Sequence, residues 1–480
     1  MSLARQVLGF LPSQVVPALA SFASIYLFTR HTSPGEYGIF ALVMSVVLMA
    51  QSVLFYWIQV AVTRHVDAAQ RDGQLPALQA SAYRCLAGTW LAFSLLFAAA
   101  MWLLPLAAEL KRGLWLAIPI VGLRSLVVIN QAFNRGALRT WRYNLIESGH
   151  AVGQLALGWA LLQGVAAPSV ALLCGTLAAG AAAAAVDVPT LWAALKRGVA
   201  RAQVLQLLQF GAPLSLGFAL NYVLATSDRL LVQWLLGAEA VGVYAVAYGL
   251  MDRAVSALFI AISIASYPLA IRAFETGGAA AAQAQMRRTG ELLLFITLPV
   301  CAALMCLNQQ LAAVLVGEAF RADAARLMPW VALAALLAGF QIHFFDHAFH
   351  LERRTSLFLW TIGPAALVNV LANLVLLPQV GLIGAAWATL LGYACSLAAS
   401  VVIGARVFKV PLALGQIARA GAATALMLAV LWARNVPGTV WGLLQAVALG
   451  GAVYLLAAWV CNVAGLRGHL SLLTTRLRGA

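Results

Sequence analysis

The sequence predicts an all-α polytopic membrane protein with about fourteen transmembrane helices. They are expected as two parallel six-helix lobes followed by two extra helices. Three observations lead there. Of the 480 residues, 63% are hydrophobic and only 9% are charged. The apolar residues fall in runs long enough to cross a bilayer. The lysines and arginines alternate from loop to loop.

The composition sets the solvent. A soluble domain carries about 25% charged residues, and a water-facing surface cannot be built from 9%. Each Asp, Lys or Arg at the centre of a membrane helix costs about 2.5–3.5 kcal/mol on insertion scales, which explains their scarcity. The natural unit of the chain is then a span of about 20 apolar residues.

Apolar runs separated by short polar breaks place the spans near 8–28, 38–61, 83–104, 114–133, 144–164, 168–190, 211–235, 242–267, 292–316, 327–348, 357–378, 382–405, 413–433 and 440–463. The break at 164–168 must be a turn, because one helix over 144–190 is far too long for one crossing. At the N-terminus, Arg5 and Ala18-Leu19-Ala20 resemble a signal peptide with its cleavage site. The apolar run continues to Phe28, so a retained span is expected.

The formal net charge of +15 would ordinarily suggest a nucleic-acid partner. Its distribution does not. With the N-terminus in the cytoplasm, 21 of the 30 lysines and arginines fall in inner segments and six in outer ones. The inner set runs from Arg5 through Arg64, Arg135, Arg197, Arg287, Arg353 and Arg419 to Arg467, Arg476 and Arg478. That bias is the positive-inside rule, and it puts both termini in the cytoplasm. Loops are short on both sides, so no separate soluble domain is expected. The six cysteines sit in apolar runs without a C-x-x-C pair and read as buried hydrophobes, and no metal is expected.

A repeat underlies the count. Gly38-Ile39-Phe40-Ala41 opens the second span and Gly242-Val243-Tyr244-Ala245 the eighth, 204 residues later. Leu106-Ala107-Ala108 and Leu311-Ala312-Ala313 lie 205 residues apart. The repeat is parallel, which implies lobes over 1–200 and 201–410 and a cleft where transporter sites lie. Residues 411–480 hold the two additional helices and the tail.

Several segments resemble a known family. Thr32-Ser33-Pro34-Gly35-Glu36-Tyr37-Gly38 looks like the loop after the first helix of polysaccharide transporters, and Gln209-Phe210-Gly211-Ala212-Pro213 like the start of their second half. Ser227-Asp228-Arg229-Leu230-Leu231 with Val241-Gly242-Val243-Tyr244 is similar to their most recognisable segment. Val368-Asn369-Val370-Leu371-Ala372-Asn373 and Gly381-Leu382-Ile383-Gly384-Ala385-Ala386 resemble their C-terminal signature. The pieces run in order over residues 5–410. They resemble the Wzx-type oligosaccharide flippases of the multidrug/oligosaccharidyl-lipid/polysaccharide (MOP) exporter superfamily. That resemblance implies a V-shaped two-lobe fold working by alternating access in the bacterial inner membrane. It also implies an undecaprenyl-pyrophosphate-linked oligosaccharide as cargo, membrane lipids as surroundings, and polysaccharide polymerase and export machinery as partners. It fixes no substrate-contacting residue.

The cargo sets chemical requirements. A pyrophosphate head needs cations, and a guanidinium binds phosphate through a bidentate fork. Three arginines fall inside spans: Arg124, Arg229 and Arg253. They are the substrate-binding candidates. A structural reading stands beside this one, in which Arg229 and Arg253 pair between helices with Asp228 and Asp252. Arg124 has no acid near it in sequence. Asp228 and Asp252 are also candidates to couple transport to protons or sodium. So are His343, Asp346 and His347, which with His350 follow an i, i+3, i+4, i+7 pattern on the tenth span. Polar lining of the cytoplasmic mouth is the alternative for that cluster. Glu147, His150 and Asp187 read as interfacial residues.

The expected function is a flippase rather than an enzyme, without a cofactor. A multidrug or cation antiporter of the same fold and a lipid II flippase are the alternatives. A membrane polysaccharide polymerase or ligase is disfavoured, because the outer loops are short and offer no acid, base or nucleophile set.

Overall fold

The computed structural model describes residues 9, 12–197, 201–411 and 413–467, without the side chains of 213–219 and 221. Among them every regular element is helical. Arg5, Arg476 and Arg478 of the inner basic set lie outside the described residues. Ten helices are long and apolar enough to cross a membrane. Among the described residues each of the fourteen expected spans is mainly helical, although 168–190 and 292–316 each run over two helices. The 69-residue helix Ala238–Cys306 takes in two of them and is broken at Gly278, whose φ of 67° only glycine adopts readily.

The chain divides into two compact units, Met1–Ala245 and Val246–Ala480. The first holds α1 (Pro12–His31), α2 (Pro34–Arg71), α3 (Leu75–Leu103), α4 (Ala108–Gly136), α5 (Thr140–Leu162), α6 (Pro168–Ala185), α7 (Val188–Leu195), α8 (Arg201–Leu236) and the first two turns of α9 (Ala238–Cys306). The second holds the rest of α9, α10 (Asn308–Leu315), α11 (Glu318–Leu351), α12 (Phe358–Val380), α13 (Ile383–Ala405), α14 (Leu414–Trp432) and α15 (Val440–Val460).

Local chemistry fixes several helix ends. Ser33 caps α2 by accepting the Glu36 amide at 3.3 Å, and Pro34 supplies the first turn, where its missing N–H costs nothing. The Glu36 carboxylate then accepts the Ser169 amide at 2.7 Å, tying the start of α6 to that of α2. Thr439 caps α15 through the Gly442 amide at 3.1 Å.

The glycines of the sequence repeat meet in space. A Cβ on Gly38 would stand 1.7 Å from the Ala238 carbonyl oxygen, and one on Gly242 would stand 2.0 Å from that of Pro34. The two helix starts therefore cross backbone to backbone, a reciprocal contact that only glycine permits.

Within the first unit α5 packs on α1 and α6, α4 on α6, and α2 on α8. Within the second, α13 packs on α11 and α12. The two extra helices are not loose. Ala420, Met427, Leu431, Ala446 and Tyr454 form a buried cluster with Leu307, packed against Leu294 and Leu298. Tyr454 donates to the Phe295 carbonyl oxygen at 2.8 Å.

Two long helices contain π turns. One spans Gln51–Phe55 in α2 and the other Gln341–Phe345 in α11. An inserted π turn rotates the register of the residues after it and often marks a functional position.

Candidate functional site

Arg124 lies in the middle of α4, half-buried. Its Nε–H donates to Gln51 Oε1 at 2.6 Å, so the π turn of α2 reaches the guanidinium through an amide. On another side Arg124 shares a small cavity with Ile120, Leu123, His150, Thr176, Leu177 and Gly180. Its volume of about 10 Å³ suits about one water molecule. Thr176 accepts from Gln154 Nε2 at 3.0 Å, so amide and hydroxyl groups continue from the cavity onto α5 and α6.

Arg229 lies on α8, half-buried, and the structure brings it toward Arg124. The Tyr222 hydroxyl, one to two turns earlier on α8, is within electrostatic reach of both guanidiniums and hydrogen-bonds with Thr226. Thr226 is itself buried. Two of the three arginines singled out in the sequence thus lie within electrostatic range of one phenol in the first unit, with Gln51 and His150 beside Arg124 and Thr226 beside Tyr222. A guanidinium pair set among amides and hydroxyls is a receptor for a multivalent anion carrying hydroxyl groups.

Asp228 is fully buried and accepts a 2.8 Å hydrogen bond from the Tyr244 hydroxyl at the start of α9. Asp252 and Arg253 belong to the second unit. Asp252 accepts from Ser256 Oγ at 3.3 Å, and Arg253 has an exposed side chain.

The histidine segment divides between two neighbours. The π turn ends at Phe345, and beyond it Asp346 turns to α13, where Ser400 Oγ donates to its Oδ1 at 2.7 Å. His347 and His350 turn to Tyr267 on α9, with ring centroids 4.5 and 5.9 Å away. His343 stacks on Phe259 at 6.1 Å. Asp346 and His347 are buried and His350 is exposed.

The expected interfacial residues also separate. Arg142 donates to Asp187, and Gln131 Nε2 donates to Glu147 Oε2 at 3.1 Å. These bonds tie α5 to the residue following α6 and to the end of α4. Burial holds the Asp187 carboxyl above the usual carboxylate range, against the pull of Arg142 and Arg139. His150 is instead a neighbour of Arg124. Gln51, Tyr222 and Thr226 were missed in the sequence. The available signal was an amide and two hydroxyl residues inside apolar runs.

Known proteins share this architecture. The chain resembles the lipid II flippase MurJ in an inward closed conformation, with a TM-score of 0.72 at 14% identity, covering 96% of this chain and 99% of that one. It also resembles a multidrug resistance MATE family transporter of the MOP superfamily in an inward-facing conformation. There the TM-score is 0.63 at 13% identity, covering 91% and 95% of the two chains. A MOP superfamily transporter from Pyrococcus furiosus, described as having a binding pocket of reverse polarity, gives 0.60 at 13% identity over 84% and 94%. At such identities the likeness is one of fold. No curated protein matches the sequence. A family model described as polysaccharide biosynthesis protein matches residues 3–274. That is more than half of the chain, which therefore belongs to the polysaccharide biosynthesis protein family and has the fold of a multi-pass membrane transporter.

Proposed function

We propose that this transporter flips an undecaprenyl-pyrophosphate-linked oligosaccharide from the cytoplasmic to the periplasmic leaflet of the bacterial inner membrane by alternating access. The product would feed assembly of an O-antigen, capsule or exopolysaccharide. The observation that carries the reading is Arg124, held by Gln51 beside a small polar-lined cavity in an apolar bundle, with Arg229 within electrostatic range of the same Tyr222 hydroxyl. Burying two guanidiniums at membrane depth costs several kcal/mol. An anionic cargo that visits the site repays that cost each cycle. The adjoining amides and hydroxyls suit a sugar, and the lipid tail stays in the bilayer.

The inner bias of basic residues supports the cytoplasmic placement of the termini. Family membership supports the polysaccharide pathway, and a polymerase and export machinery are the expected partners. A second reading, a lipid II flippase, draws support from the fold likeness to MurJ. It keeps the same pyrophosphate chemistry and changes the sugar. A multidrug antiporter draws support from the MATE likeness but calls for no paired intramembrane arginines.

The test is a gene deletion complemented by plasmid-borne variants. The wild-type gene restores surface polysaccharide and Arg124→Ala does not, at equal protein level in the membrane. Lipid-linked oligosaccharide accumulates in the deletion strain. Arrest of peptidoglycan synthesis instead would select the lipid II reading. Dye sensitivity with intact polysaccharide would select the antiporter.

A further inference from the structure

The second unit buries one carboxyl that a lipid headgroup site does not use. Asp346 is 3% exposed. Its Oδ2 accepts from Gln341 Nε2 at 2.8 Å and its Oδ1 from Ser400 Oγ at 2.7 Å. Both donors are neutral. Among the described residues no Lys or Arg comes within ion-pair distance of it. A buried carboxylate is ordinarily held by a fixed cation, because its desolvation is otherwise uncompensated. Here the fixed partners supply no positive charge, so a charge that binds the carboxyl itself would balance it.

The surroundings identify that charge. Both partners hand hydrogens to the carboxylate, whereas hard metal ions take a shell of about six oxygen ligands. A proton needs only one oxygen. A series of rings also leads inward to the residue next to the carboxyl. His350 is exposed. Tyr267 meets it at 5.9 Å and tilts over the buried His347 at 4.5 Å. His347 directly follows Asp346 in the chain, and its Nδ1 has no hydrogen-bond partner. Ser396 Oγ, one turn before Ser400 on α13, and Ser266 Oγ, beside Tyr267, are buried acceptors of the same kind.

The other ionisable groups around Asp346 leave its charge uncompensated. On its own segment they are His343, His347 and His350. On α9 they are Tyr267, with Asp252 and Arg253 about four turns earlier and Arg272 and Glu275 about one to two turns later, none of them in an ion pair with Asp346. In the later part of α9, Arg287 and Glu291 pair with each other. On α13 Tyr393 and Cys395 complete the set.

We propose that Asp346 is a reversible proton-binding site, loaded through His350, Tyr267 and His347, and that its proton is the one coupled to transport. Loading forms an O–H bond on the carboxylate and cancels its charge. Unloading returns the proton to water. The coupling role rests on the transport reading above; the proton binding does not.

The test uses the full-length protein in liposomes without cargo, followed by infrared difference spectroscopy across a pH step. The carbonyl band of a protonated carboxyl grows on acidification and is absent from Asp346→Asn. Ser400→Ala removes a donor and moves the midpoint of that band by about one pH unit. His347→Ala slows its appearance severalfold. A spectrum unchanged by Asp346→Asn overturns the proposal, as does a band that answers sodium at fixed pH. Should Asp346→Asn fail to fold, a midpoint indifferent to Ser400→Ala overturns it equally. The same liposomes loaded with lipid-linked oligosaccharide test coupling. A pH gradient accelerates transport by wild type and not by Asp346→Asn. Equal acceleration of both overturns the coupling. Absence of transport with the titration intact counts against the flippase reading and leaves the proton site standing.

Discussion

The two π turns invite comparison. Each opens on a glutamine, and each glutamine meets an ionisable side chain inside an apolar helix bundle. In the first unit Gln51 presents its carbonyl oxygen to Arg124. In the second Gln341 presents its amide nitrogen to Asp346. The same side chain thus supports opposite charges, because an amide can donate or accept. The differences lie in what surrounds the charge. Arg124 is half-buried, borders a water-sized cavity and shares the electrostatic range of the Tyr222 hydroxyl with a second guanidinium. Asp346 is buried, held by Gln341 and Ser400, and the ring of the residue after it, His347, lies against Tyr267. An open cationic pair suits a bulky anion, and a buried carboxyl suits a particle as small as a proton. At Asp346 neutral partners suit the task, since a fixed counter-ion would compete with the visitor.

That contrast can be broken in several places. The largest effect is expected from Arg124→Ala. Losing a hydrogen-bonded charge contact to the cargo costs about 2 kcal/mol or more, at least a ~30-fold loss of transport in a flipping assay. Unchanged transport would remove the cationic half of the comparison. Gly38→Ala tests the frame on which the first unit is built. The added methyl meets the Ala238 carbonyl, so thermal unfolding should show a loss of about 1–3 kcal/mol. Gln51→Leu leaves the Arg124 Nε–H without its amide acceptor and should cost about 1–2 kcal/mol in transport with little change in protein level. Tyr222→Phe is the mildest change. Removing one hydroxyl within electrostatic range of both guanidiniums should reduce cargo affinity by about 1 kcal/mol, roughly fivefold, measured by titration of the purified protein.

Much of the fold was legible because the bilayer makes its demands locally. A span needs only its own apolar residues, so each of the fourteen expected segments is mainly helical among the described residues. Gly38 and Gly242 stood out in the sequence, and a backbone crossing that tolerates no side chain gives the physical reason for both. Arg124 and Arg229 stood out because charge is costly in hydrocarbon. Their partners did not. Gln51, Tyr222 and Thr226 carry no charge, and choosing among many such residues requires knowing which helices are neighbours. The histidine pattern suggested one face, but the π turn at 341–345 is silent in sequence, and it precedes a segment split between α13 and α9. For the same reason Ser400, 54 residues from Asp346, carried no signal.

The central claim is that Arg124 and Arg229 grip one anionic head together. It is tested most directly by a double-mutant cycle on the binding of a short-chain, water-soluble pyrophosphate-linked sugar. Arg124→Ala and Arg229→Ala should each weaken binding at least tenfold, and their combination should depart from additivity by more than about 0.5 kcal/mol. Affinity unaffected by either substitution, or two losses that simply add, would contradict it.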